Sequence, residues 1–124
     1  MAHEVLAAVL QVRERSLQVL LWRRAKEPAV DRWSLPGGGL GLTEDVETSI
    51  RRQLAEKVDV QQLAHVEQLA VFSAPDRTPG QRVIATAFLG LVPAGTDPEV
   101  PSDTDWFRVD ALPPTAFDHG AIVR

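Results

Sequence analysis

The amino-acid sequence predicts an α/β fold in which helices cover a mixed sheet, and three observations carry that reading. Apolar runs over residues 4–12 and 17–23 flank the polar segment Arg13-Glu14-Arg15-Ser16, the pattern of a strand hairpin. Val46, Ile50 and Leu54 recur at helical spacing and give a single apolar stripe running toward Val58. Two further apolar runs, residues 66–73 and 82–92, read as strands around the loop 74–81.

The remaining elements follow in order. Residues 26–32 form a proline-containing loop, and residues 33–35 are extended because Pro36 biases its predecessor toward the β region. Gly37, Gly38 and Gly39 predict a turn whose backbone can approach a ligand closely. Thr43 is the expected N-cap of a helix over residues 43–58. Glu44, Asp45 and Glu47 place negative charge at the positive end of its dipole. Residues 93–102 are loop-like, 105–109 form a short strand, and 117–124 open a second helix.

At 124 residues the chain has the size of one domain, 1–124. The sequence has no apolar run approaching the roughly 18 residues of a membrane span, and the N-terminus lacks the basic region of a signal peptide. There is no cysteine, hence neither disulfide framework nor thiolate metal site. A cytoplasmic location is the expectation. The net charge of −4 argues against DNA binding by this segment itself, which would need a basic stripe.

Residues 33–60 carry the chemistry. Gly38 is followed after five residues by Glu44, and after seven more by Arg52-Gln53-Leu54-Ala55-Glu56-Lys57-Val58-Asp59-Val60. This spacing, preceded by Trp33-Ser34-Leu35-Pro36-Gly37, resembles the Nudix box of diphosphate hydrolases, G-x5-E-x7-R-E-U-x-E-E-x-G-U with U apolar. The resemblance implies a Nudix α/β/α sandwich with a mixed sheet.

It also implies roles. Positions 53, 56 and 57 share one helical face by i, i+3 and i+4 spacing. In the family they carry the glutamates that hold Mg²⁺ or Mn²⁺, hard cations suited to oxygen ligands. The Gly38 carbonyl is often a further ligand. Arg52 and Glu44 correspond to residues that hold helix and loop in register. Here the box departs from the pattern: Gln53 and Lys57 replace glutamates, leaving Glu56, so the face carries no net charge. Weak metal binding by Glu56 and Gly38, and weak or absent hydrolysis, are the expectation. Asp59 replaces the glycine that ends the helix, a left-handed position that Asp tolerates at roughly 1 kcal/mol.

Other residues are less specific. Glu67, Asp76 and Glu99 are unplaced carboxylates that could assist from outside the box. Arg77 and Arg82 flank a Pro-Gly turn and could grip a diphosphate, though solvated loop arginines are as common. Glu56 could equally form an i, i+4 pair with Arg52. His3, His65 and His119 have no ligand-like spacing and read as surface or capping residues. Among Trp22, Trp33 and Trp106, Trp33 is the best placed to stack on a ligand because it adjoins the glycines.

Residues 75–93 and 105–123 add a narrower resemblance, to the Nudix-related transcriptional regulators of NAD metabolism and similar ADP-ribose-type Nudix proteins. It implies a domain that binds ADP-ribose or a related nucleoside diphosphate, with degenerate boxes frequent. The expected function is a sensor domain, the N-terminal part of a longer protein, since the chain stops inside a predicted helix. An active Mg²⁺-dependent hydrolase and a pure interaction module are the alternatives, and a homodimer is left open.

Overall fold

The computed structural model describes residues 2–26 and 29–123. Its strands are β1 (Ala2–Arg13), β2 (Ser16–Arg23), β3 (Trp33–Ser34) and β4 (Gly37–Gly39), followed by helix α1 (Val46–Val58). Then come β5 (His65–Phe72), β6 (Val83–Leu91), β7 (Thr104–Arg108) and the short helix α2 (His119–Val123). The strands build one mixed sheet in the order β3-β2-β1-β6-β5, with β7 pairing β2 and β4 pairing β1.

Strand β1 is the spine. It runs parallel to β6 from Ala2↔Val83 to Leu10↔Leu91, while its other edge is shared. The C-terminal half of that edge pairs β2 through the two-residue hairpin at Glu14 and Arg15, and the N-terminal half pairs β4. Alternation along β1 divides the core. Val5, Ala7 and Val9 pack with Ile50, Leu54 and Val58 of α1. Leu6 and Ala8 face the opposite way and pack with Val19, Leu21, Leu35 and Ile122 of α2. Helices therefore cover both faces of the sheet, as an α/β/α sandwich requires. Among the described residues no helix is long and apolar enough to cross a membrane.

Two local expectations need correction. The glycines 37–39 form a short strand rather than a turn, because the edge of β1 beyond β2 offers free backbone groups to pair. Gly37 permits this: at φ 151° a Cβ there would lie 1.9 Å from the Val5 carbonyl oxygen. The helix is capped by Asp45 rather than Thr43, with the Asp45 carboxylate accepting from the Thr48 N–H at 2.8 Å. The far end follows the expectation. Asp59 adopts the left-handed conformation at φ 58°, and the Val60 N–H closes back on the Leu54 carbonyl at 3.0 Å.

Candidate functional site

The loop between β4 and α1 is bolted to the helix by one carboxylate. Glu44 accepts the Gly41 N–H at 2.9 Å and both arms of the Arg52 fork, at 2.7 and 3.0 Å. Arg52 then reaches Glu56 at 3.0 Å with its remaining nitrogen. The Arg52 hydrogen bonds hold the Glu44 pKa down to about 2, and Glu44 in turn raises that of Arg52. Glu56 is thus occupied by the i, i+4 pair that the sequence left open.

Beside this pair, the helix meets the glycine strand. Gln53 is buried, and its amide nitrogen donates to the Gly39 carbonyl at 3.0 Å. Its Oε1 is buried without a hydrogen-bond partner. The Lys57 ammonium donates to the Gly37 carbonyl at 2.9 Å. Both side chains press against Gly38, where a Cβ would meet Lys57 Nζ at 2.5 Å and Gln53 Oε1 at 2.8 Å. The structure therefore brings positions 38, 53 and 57 together as a face of amide and ammonium, while the Glu56 carboxylate is paired with Arg52 instead.

That donor set does not fit a divalent cation. Among the described residues no three His, Cys, Asp or Glu side chains cluster as metal donors. Glu56 is engaged by Arg52, and any dication drawn to the glycine carbonyls would meet the Lys57 charge. Of the outside carboxylates, Glu67 pairs with His65 on β5, and Asp76 lies exposed in the loop before β6. Glu99 is exposed, and its backbone N–H donates to Asp59 beyond the helix end.

Beside Lys57 opens a cavity of about 300 Å³, walled by Trp22, Gly37, Val58, Asp103 and Thr104. Trp22, on β2, is anchored by its indole N–H on the Leu35 carbonyl at 3.2 Å. In the sequence Trp22 ranks behind Trp33 as a stacking residue and Asp103 and Thr104 carry no signal, because strand pairing between β2 and β7 is what joins them.

The other proposed contacts lie elsewhere. Glu4 shares the parity of Leu6 and Ala8, so it lies on the α2 face, and Arg77 is bound to it there. Arg77 is a buried residue rather than the exposed loop arginine expected. Its guanidinium forks onto Asp118 at 2.9 and 2.9 Å and reaches Glu4 and the Val83 carbonyl at 3.1 Å each. Burial opposes its charge, but Asp118 and Glu4 outweigh this and raise its pKa. Arg82 remains exposed and clamps the Ser73 carbonyl at 2.9 Å. Trp33 is half-buried and packs edge-on against Phe107 at 4.7 Å.

The histidines also depart from a surface reading. His3 is half-buried, its ring bonded to Thr86 Oγ1 at 2.7 Å. His119 is buried: its Nδ1 accepts the Leu35 N–H at 3.0 Å, and burial lowers its pKa to about 4. His65 alone is exposed.

Residues 2–124 match the NUDIX domain family over essentially the whole chain. The chain belongs to the Nudix family. A relative from Methanocaldococcus jannaschii, an ADP-ribose pyrophosphatase, is 32% identical over 123 residues, covering 94% of this chain and 70% of that one. The NUDIX domain of Shewanella oneidensis NrtR complexed with ADP ribose superposes with a TM-score of 0.84. It is 27% identical, with 99% of this chain and 84% of that chain covered. NrtR of the same organism complexed with a 27mer DNA gives a TM-score of 0.81 at 26% identity, over 97% of this chain and 57% of that one. Within the Nudix frame the substituted positions 53 and 57 form the contacts just described.

Proposed function

We propose that this Nudix domain binds ADP-ribose or a related nucleoside diphosphate derivative as a sensor, with little or no hydrolysis. The carrying observation is the helix face itself. Where diphosphate hydrolysis would draw on carboxylates, Gln53 and Lys57 bond to the Gly39 and Gly37 carbonyls, and Glu56 is held by Arg52. Binding needs donors and shape, which such a face retains; water activation by a metal needs anionic ligands, which it has lost. Likeness to the NrtR domain complexed with ADP ribose supports the ligand class.

The site in this reading comprises Gly37, Gly38 and Gly39 with Gln53 and Lys57. Glu44, Arg52 and Glu56 hold its frame, and exposed Arg82 is available to an anionic ligand. Arg77 is structural. Likeness to NrtR complexed with DNA supports a role in a transcriptional regulator, with DNA contacts outside the acidic segment described here.

A second reading, a working hydrolase relying on Glu56 and carboxylates outside the box, draws support from the ADP-ribose pyrophosphatase at 32% identity. Calorimetric titration with ADP-ribose, followed by an assay for released AMP, separates the two. The sensor binds and releases little AMP; the hydrolase releases AMP in proportion to added Mg²⁺.

A further inference from the structure

We propose that the Lys57 ammonium is a built-in cation that takes the diphosphate of the ligand, so that binding in this domain needs no divalent metal. The inference rests on the nucleoside diphosphate reading above and adds which group meets the phosphates.

Four observations converge on it. The Lys57 Nζ sits on the Gly37 carbonyl at 2.9 Å and packs against Gly38, held between the helix and the glycine strand. An ammonium has three donors, and that bond uses one. No carboxylate of the described residues pairs with Lys57, since the neighbouring Glu56 is taken by Arg52 and Glu44 is taken by the same fork. Lys57 also lines the cavity of about 300 Å³, with the Trp22 ring as a further wall.

The chemistry of that cavity suits one class of ligand. Its cationic wall is Lys57, its flat apolar wall is Trp22, and its anionic wall carries Asp103. A diphosphate toward Lys57 and sugar hydroxyls toward Asp103 satisfy both charges, whereas a wholly anionic ligand would face Asp103 at a cost. A lysine in the last turn also favours the negative end of the helix dipole. That structural role predicts an effect on stability; the ligand role predicts an effect on binding.

The test is calorimetric titration of ADP-ribose into the wild-type protein and into Lys57→Met, Lys57→Arg and Lys57→Glu, each in EDTA and in Mg²⁺. Thermal unfolding confirms that every variant is folded. The wild type should bind equally in both buffers, within about two-fold. Lys57→Met should weaken binding by roughly 10- to 100-fold, the loss of a charged hydrogen bond, and Lys57→Arg should recover part of it. Lys57→Glu should bind poorly in EDTA and better in Mg²⁺. Wild-type binding that collapses in EDTA, or a folded Lys57→Met that binds as the wild type does, overturns the built-in cation but leaves the ligand reading intact. A wild type that binds in neither buffer removes both.

Discussion

At the scale of single residues, two side chains illustrate how burial changes what a sequence position means. His119 accepts the Leu35 N–H at Nδ1, so its neutral ring carries the proton on Nε2, a buried atom with no partner among the described residues. Protonating Nδ1 would break that bond and bury a charge. The unfolded chain takes this proton near pH 6.5, but the folded protein resists until about 4. The stabilisation is therefore complete above about pH 6.5 and is lost as the pH falls toward 4, by roughly 3 kcal/mol. Urea denaturation between pH 7.5 and 4 should show this decline, and His119→Gln, which keeps an acceptor for Leu35, should flatten it. A wild-type profile flat over that range would contradict the buried neutral ring. Glu44, whose pKa is lowered from 4.5 to about 2, adds its own loss from about pH 4.5 downward, at the acid end of that window. Neither burial was legible in the sequence. His119 bonds to a residue 84 positions away, and Arg77 finds its carboxylates 41 and 73 positions away, at separations that no local pattern encodes.

At the scale of elements, periodicity and punctuation carried the reading, and pairing limited it. The stripe Val46, Ile50 and Leu54 identified α1 because a helix must bury one face against the sheet. The strand runs were legible through alternation, with ends within one or two residues of those observed. Strand β4 was not, because three glycines have no side chains to alternate and their strand character comes from the open edge of β1. The same element holds the test of the box. Gln53→Glu with Lys57→Glu would remove the donors that now satisfy Gly39 and Gly37 and set two carboxylates against those carbonyls. The double variant should lose about 1–3 kcal/mol in EDTA from the buried site and recover stability in Mn²⁺. Electron paramagnetic resonance should then count bound Mn²⁺ that the wild type does not take up. Unchanged Mn²⁺ uptake in a folded double variant would show that this face is not a latent metal site.

At the scale of the whole molecule, the sheet separates two different jobs. On the α1 face the glycine strand packs against Gln53 and Lys57, the place proposed above for the ligand. On the α2 face Arg77 ties the loop before β6 to β1, β6 and the start of α2. Arg77→Ala would leave Asp118 and Glu4 without their common partner, and unfolding free energy should drop by about 2–4 kcal/mol. Arg77→Lys, which cannot fork, should recover only part. An alanine variant as stable as the wild type would disprove that structural role.

Binding without turnover is open to one direct measurement: the ³¹P spectrum of ADP-ribose mixed with stoichiometric wild-type protein in Mg²⁺, followed over hours. The diphosphate resonances should shift or broaden at once and then persist, with no monophosphate signals growing in. Conversion of the diphosphate pair into two monophosphate resonances would contradict it, as would a spectrum identical to that of the free ligand.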